Sequence, residues 1–281
     1  MQKLEKISDY ILQQTFVAFD TETTGLWAPA NRVVEIGAVK FQFGQSKTEV
    51  FNTLVNPKRP IPTEVIRIHG ITDEMVTDAP IAKDAISAFM SFCGEDSVLI
   101  AHNAPFDISF VGCEMERFEL DFGNNLILDT VDLFKRYYPN LASYSLLALS
   151  RHFSTAKSQE HRALNDAVMV HRLFELVAPK FGRIKNKSDL FHVASTYSMT
   201  DCRAQKAVLP DEHNELNRAR EEKLRVRIEY TTPSNEPTIR VIRPEHFYHL
   251  GEIFYINAFC ERAHGERTFR LDRIGEYQVL D

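Results

Sequence analysis

One stretch limits the folds open to this chain more than any other: Phe16 to Leu26, FVAFDTETTGL, a short apolar run closed by two acids one residue apart. It reads as a strand that ends in acid. Side chains alternate faces along a strand, so Asp20 and Glu22 share one side while Phe19 and Thr21 share the other. Two carboxylates crowded in this way repel unless a cation or a shared proton neutralises them. An isolated pair is either a solvated strand end or one arm of a site for a hard cation such as Mg²⁺ or Mn²⁺. The choice turns on whether further acids and a base answer it elsewhere.

The rest of the chain supplies the setting. Arg32 to Phe43 and Thr48 to Val55 read as two β-rich runs joined by a turn at Gly44-Gln45, an antiparallel pair attached to the first strand. Pro57 to Val76, broken by prolines and a glycine, reads as an irregular surface connection. Helical periodicity follows at Ala79 to Cys93, then a short strand at Val98 to Ala101. His102-Asn103-Ala104-Pro105 leads into a helix that carries Asp107. A brief strand at Leu126 to Leu128, helices near Asp132 to Tyr138 and Tyr144 to His152, and a long amphipathic pattern from His161 to Phe181 complete an α/β alternation. This predicts a sheet with helices on both faces, ending near Gly182. Residues 183–223 read as a partly helical connector, with a helix expected over Glu212 to Lys223. From 224 to 281 the pattern switches to short alternating strands separated by turns, an all-β module small enough that a closed barrel would hide its edges.

Composition removes several function classes. At 281 residues with 44% hydrophobic and 26% charged residues, the chain has ample material for two cores and no mark of disorder. The net charge of −6 argues against bulk electrostatic capture of nucleic acid, yet nearly all the excess acid lies before Gly182 and the remainder is Arg-rich. Cys93, Cys113, Cys202 and Cys260 form no CxxC pair and offer neither metal-ligand spacing nor a disulfide framework. Residues 1–14 read as an amphipathic helix (Leu4, Ile7, Tyr10, Ile11) rather than a signal peptide. With no apolar run long enough to span a bilayer, the expected location is the cytoplasm.

The acids that Asp20 and Glu22 require do occur. Asp107 follows AHNAPF at a helix start, and Asp166 lies five residues after His161 on another helix. Together FDTETTG, AHNAPFD and HRALND resemble the three motifs of the DEDDh exonucleases, the family of the bacterial proofreading subunit, RNase T and oligoribonuclease. The resemblance covers about Thr15 to Phe181. It implies an RNase H-like mixed sheet flanked by helices, two Mg²⁺ or Mn²⁺ ions held by Asp20, Glu22, Asp107 and Asp166, and His161 as general base. The chemistry is consistent with those roles: two ions about 3.5 to 4 Å apart can serve both the attacking and the leaving oxygen of an in-line displacement. An imidazole titrating near neutrality can accept the proton of water. The resemblance also places Thr23, Thr24 and Leu26 at the terminal nucleotide, His69 near its sugar or base, and Asn103 and Phe106 at flanking contacts. Phe106 serves equally as core packing. His102 reads as a structural residue and Asp129 as a helix cap.

Beyond the connector, LRVRIEY, IRVIRP, IFYINAFC and RTFRLDRI resemble a WYL domain, an Sm-like or SH3-like barrel, with Phe254-Tyr255-Ile256 standing where the family has its signature triplet. That resemblance implies a site for nucleic acid or a small anionic ligand, with Arg240, Arg267, Arg270 and Arg273 as candidates; the alternative is a solvated surface whose arginines pair with Glu229, Glu261 and Asp272. The expected organisation is an exonuclease domain over 1–182, a connector over 183–223 and a WYL-like barrel over 224–281. The expected activity is metal-dependent 3′-to-5′ release of nucleoside monophosphates from single-stranded ends, with DNA favoured and no membrane partner. Two alternatives stand beside it: an exonuclease of RNA or short oligoribonucleotides, and a ligand-sensing regulator built on an inactive nuclease scaffold.

Overall fold

The acidic stretch is a strand, β1 (Phe16–Thr23), inside the first of two units into which the chain divides. The computed structural model describes residues 7–200, 207–231, 237–250 and 253–280, without the side chains of residues 249, 250 and 253. The first unit comprises Met1–Leu26 and Asn31–Arg203; the second comprises Trp27–Ala30 and Ala204–Asp281.

In the first unit, α1 (Asp9–Gln13) precedes β1, and β2 (Val33–Phe41) and β3 (Glu49–Leu54) follow it as an antiparallel meander. After α2 (Thr63–His69), α3 (Asp73–Val76) and α4 (Ala82–Cys93), the chain returns as β4 (Val98–Ala101), parallel to β1. Next come α5 (Ala104–Arg117), β5 (Ile127–Asp129), α6 (Thr130–Tyr137), α7 (Leu146–His152) and α8 (Ala163–Val177). The two-residue β6 (Thr196–Tyr197) closes the sheet, whose order is β3-β2-β1-β4-β5-β6. This is a mixed α/β sheet of RNase H-like form. Because β6 pairs with β5, the first unit continues past Gly182.

The alternation of β1 settles which layer lies on which face. Phe16 meets Phe174 of α8 at 5.0 Å, whereas Phe19 meets Phe89 of α4 at 5.4 Å. Phe16, Ala18, Asp20 and Glu22 therefore face α8, and Val17, Phe19 and Thr21 face the opposite layer. The core on the α8 side gathers Phe16, Ala18, Val98, Ile100, Leu173 and Phe174, all essentially water-free.

Two expectations change. The segment from Pro57 to Val76 is not irregular: α2 and α3 occupy most of it, since Pro62 at the N-cap fixes an extended entry and Gly70 closes α2 in the left-handed conformation at φ 72°. Ile61, Ile71 and Val76 bury against Val34 of β2, which gives these short helices a core of their own. The long amphipathic pattern is helical from Ala163 rather than from His161, and after Val177 it tightens to a 3-10 turn where Pro179 has no N–H to donate. Of the N-terminal helix expected over residues 1–14, the described part is helical only over α1, with Ile7 before it; Leu4 lies outside the described residues, as do Cys202 and residues 232–236.

The second unit holds α9 (Asn214–Glu221) and β7 (Arg225–Thr231), β8 (Pro237–Leu250), β9 (Ile253–Cys260), β10 (Gly265–Arg270) and β11 (Ile274–Leu280). Its sheet is antiparallel in the order β10-β9-β8-β7-β11. Among the described residues no ladder joins β10 to β11, so the barrel is not closed by hydrogen bonds there. Val226, Ile228, Ile242, Phe247, Ile256 and Leu216 of α9 form its core.

Candidate active site

Asp20 and Glu22 sit on the α8-facing side of β1, and directly opposite them on β2 lie Gly37 and Glu35. Gly37 has no side chain where the helix comes down: a Cβ there would lie 2.1 Å from the Leu164 nitrogen and 2.2 Å from the Ala163 carbonyl carbon. This close approach brings the first turns of α8 onto the sheet beside Asp20. Asp166, in the first turn of α8, thereby joins Asp20 and Glu22, and single carboxylate oxygens of the three lie within 4.8 Å of one another.

Asp107 reaches the same strand from the other face. Its Oδ1 accepts the Thr21 N–H at 2.9 Å and the Thr21 hydroxyl at 2.7 Å. This follows from alternation, since Thr21 points away from α8. Asp107 thus stands next to the three-carboxylate group, close enough for its charge to raise the pKa of both Asp20 and Glu22, but it is not part of the tight set.

The electrostatics are those of a site short of positive charge. Burial, then the charges of Asp107, Asp166 and Glu22, hold the Asp20 carboxyl well above its ordinary range. Burial and the Asp166 and Glu35 charges push Glu22 up to about 8, against a partial counter-effect from Arg162. Burial raises Asp107 to about 7 in spite of its two Thr21 bonds. Burial also raises Asp166; Gln159, which donates to its Oδ2, and the nearby His161 work against the rise. The Asp166 Oδ1 is buried with no hydrogen-bond partner. An orphaned buried carboxylate oxygen amid three other acids fits a hard, oxygen-liganded dication such as Mg²⁺ or Mn²⁺.

His161 lies two residues before α8, exposed, with a left-handed backbone at φ 49°. His69, at the end of α2, is buried; its Nδ1 accepts the Ile71 N–H at 3.0 Å, and desolvation holds the ring below its ordinary pKa, with the charges of Glu35, Arg162 and His161 all felt there. His102 bonds Thr130 Oγ1 at 2.8 Å, and burial lowers it to about 4, consistent with a structural role. Asp129 caps α6, accepting the Val131 N–H at 2.8 Å and the Asn103 N–H at 3.0 Å.

The remaining first-unit candidates divide by exposure. Thr23 and Thr24 are buried and brace the turn after β1: the Thr23 hydroxyl donates to the Gly25 carbonyl at 2.6 Å, and Thr24 Oγ1 accepts the Arg32 N–H at 3.0 Å. Leu26, 85% exposed, projects from that turn, as a contact residue must. Asn103 is exposed with φ 62° at the N-cap of α5, and Phe106, half-buried, packs on Phe110 at 5.0 Å.

In the second unit three of the four candidate arginines have separate partners. Arg270 forks onto Asp272 at 3.0 and 2.6 Å, Arg267 donates to the Glu266 carbonyl at 2.7 Å, and Arg240 bonds Thr238 Oγ1 at 3.2 Å. Arg240 shares its face with Ile242, which is fully buried, so it borders the core. Neither these three nor Arg273 lines the open pocket of about 420 Å³ lined by Arg220, Lys223, Arg243, Pro244, Glu245 and Phe259. There the Arg243 guanidinium lies 4.7 Å over the Phe259 ring.

Glu35, Gly37, Arg162 and Gln159 stand at the site although motif reading did not single them out. One signal was available in RVVEIGAVKF: an acid and a glycine one residue apart interrupt an apolar strand, mirroring the D-x-E pair they oppose.

The chain is similar to known proteins in sequence and in fold. The sequence model of the Exonuclease family (RNase T) matches residues 17–174, and that of the WYL domain matches residues 211–279. The chain is 37% identical over 155 residues to the DNA polymerase III PolC-type protein of Bacillus subtilis (strain 168), covering 55% of this chain and 11% of that protein. It is 41% identical over 172 residues to the DNA polymerase III subunit epsilon-like protein of Rhodobacter capsulatus, covering 59% of this chain and 24% of that one. The chain therefore spans a quarter or less of the length of these relatives. In shape it is similar to the nuclease domain of 3′hExo, a DEDDh family member bound to rAMP, with a TM-score of 0.55 at 12% identity over 63% of this chain and 97% of that one, a likeness of fold. Among the described residues no helix is long and apolar enough to cross a membrane.

Proposed function

This chain belongs to the Exonuclease family, and from that premise we propose that it removes nucleoside monophosphates one at a time from single-stranded 3′ ends, with DNA preferred. The observation that carries the reading is the convergence of Asp20, Glu22 and Asp166, with Asp107 adjacent, from elements that only the fold brings together. A scaffold without chemistry has no physical use for four mutually repelling carboxylates. The preference for DNA is supported by the DNA polymerase III relatives.

In this reading Asp20, Glu22, Asp107 and Asp166 would hold two Mg²⁺ or Mn²⁺ ions, which would supply charge neutralisation at the phosphate under attack. His161, just before the helix that carries Asp166, accepts a proton from water. The water oxygen attacks the last phosphodiester, the bond from phosphorus to the 3′ oxygen of the preceding nucleotide breaks, and that oxygen is left as a hydroxyl by taking a proton. Thr23 and Thr24 meet the terminal nucleotide, Leu26 lies beside its base, His69 lies near its sugar or base, and Asn103 and Phe106 make the flanking contacts. Base-to-aromatic contact at Phe106 would be worth about 1 to 3 kcal/mol.

The second unit is the part that engages nucleic acid or a small anionic ligand, a reading supported by its match to the WYL domain and by the cationic groups at Arg240, Arg267, Arg270 and Arg273. The test of the whole is Mg²⁺-dependent release of nucleoside monophosphates from a 5′-labelled single-stranded oligonucleotide, run on DNA and RNA. Asp20→Ala and Asp166→Ala should each abolish it. Full activity in either variant overturns the proposal, and faster release from RNA overturns the DNA preference.

A further inference from the structure

The first turn of α8 is capped by a residue from another element. Arg162, at the N-cap position, has no acceptor to offer the free N–H groups of the helix start. Glu35 of β2 supplies one instead: its Oε2 accepts the Ala163 N–H at 2.9 Å and the Arg162 Nε–H at 3.0 Å, while Oε1 accepts from Arg162 Nη2 at 2.6 Å. The Glu35 side chain is 1% exposed, and the Arg162 guanidinium fork matches it with two parallel bonds.

The location is as telling as the geometry. Glu35 pairs directly with Glu22 across the ladder, and Arg162 follows His161, whose left-handed backbone is an uncommon state for a residue with a side chain. Gly37 and Glu35 together fix α8 in both distance and rotation: the glycine sets how close the helix comes, and the forked pair sets which turn it presents. The Glu35 charge adds to the repulsion felt at Asp20 and Glu22, and the Arg162 guanidinium offsets part of it at Glu22, so the pair itself adds no net charge.

We propose that Glu35 and Arg162 are positioning residues, a clamp with a buried carboxylate that holds Asp166 against Asp20 and Glu22 and holds His161 in its left-handed turn. This rests on the nuclease reading above. The clamp works through α8 and touches neither substrate nor the reacting atoms. Two opposed effects separate it from a simple charge effect. If Arg162 acted only through its charge, removing it would leave the site more negative and tighten cation binding. If it positions Asp166, removing it loosens the donor set and weakens binding.

The experiment uses the full chain and the variants Arg162→Met, Arg162→Lys and Glu35→Gln, with thermal unfolding to confirm that each is folded. Mn²⁺ binding is titrated by electron paramagnetic resonance, and kcat and KM are measured on a single-stranded DNA oligonucleotide. Arg162→Met should weaken Mn²⁺ binding and lower kcat, each by about 10- to 100-fold, the range seen when groups that orient metal ligands are lost. KM should stay nearly constant, because substrate contacts are untouched. Arg162→Lys should recover part of the kcat, and Glu35→Gln, which keeps an acceptor for Ala163 but loses the charge, should fall between. Unchanged or tighter Mn²⁺ binding in Arg162→Met overturns the clamp, whatever kcat does, as does a wild-type kcat in that variant. A wild-type protein that neither binds Mn²⁺ nor releases nucleotides overturns the nuclease reading and the clamp together, whereas an active wild type with unaffected variants overturns the clamp alone.

Discussion

The two units handle charge in opposite ways. In the first, acids are buried side by side, their pKa values driven up by desolvation and by one another, and one carboxylate oxygen is left without a partner. In the second, charges are answered locally: Arg270 forks onto Asp272 two residues away and Arg225 lies 3.7 Å from Glu261. The first arrangement is held against its own repulsion by a rigid sheet and helix, so it depends on distances of a few tenths of an ångström. The second is a solvated surface, where single ion pairs contribute little and salt screens them. Buried, unbalanced charge calls for a cation and chemistry, while exposed, balanced charge suits a surface that meets a polyanion or a small anion.

Perturbing each unit tests that contrast, and after the abolition of activity expected on removing Asp20 or Asp166 the largest effect is expected at His161. Replacing it by Ala should lower kcat about 10²- to 10⁴-fold, the usual contribution of a general base, with Mn²⁺ binding retained. Steady-state kinetics beside a Mn²⁺ titration checks this, and a wild-type kcat would move the base elsewhere. Gly37→Ala should come next. Its Cβ has backbone 2.1 Å away, which no side-chain rotation relieves, so overpacking should cost about 1 to 3 kcal/mol of stability and push α8 off the sheet. Chemical unfolding measures the stability, and an unchanged midpoint with unchanged kcat would show that α8 can shift at no cost.

A smaller effect should appear in the metal-free protein as a pH dependence of stability. Glu22 titrates near 8 and Asp107 near 7 in the fold, against ordinary values of 4.5 and 3.8. Between those limits the folded chain binds more protons than the unfolded one, so stability is greatest at the acid end and falls as pH rises towards 8. Melting curves in chelator from pH 5 to about 8 should decline on this account, and Mg²⁺ should flatten the decline, since bound cations replace the protons. A melting temperature that climbs steadily with pH in chelator would contradict the buried-acid description. The smallest effect is expected at Arg273→Glu in the second unit. It should weaken binding of a single-stranded oligonucleotide modestly, and the dependence on salt should shrink by about one counterion. Binding isotherms at several salt concentrations read this, and no change would leave Arg273 as part of a solvated surface.

Much of this protein was legible from its residues. Every strand of the first sheet except β6 follows from apolar runs bounded by turn residues, because long-range pairing there reinforces strong local patterning. The two-residue β6 has no pattern to read, and α2 and α3 were hidden by prolines that mark the start of a helix as readily as a loop. Within the site, Asp20 and Glu22 were legible because strand alternation is a local rule, and Asp107, His161 and Asp166 because they fall in motifs that resemble a known family. Glu35 and Gly37 were not, since an acid and a glycine in a strand look like defects until the helix above them is seen.

The sequence by itself determined the α/β order, the change to antiparallel strands after residue 224 and the chemical character of the site, because periodicity and residue type are properties of short stretches. Only the tertiary structure decided that three of the four acids converge tightly while Asp107 stands beside them on Thr21, and that α8 is seated on Gly37 and capped by Glu35. Those are distances between residues far apart in the chain. They are set by which faces pack together and how closely, and no local pattern encodes them.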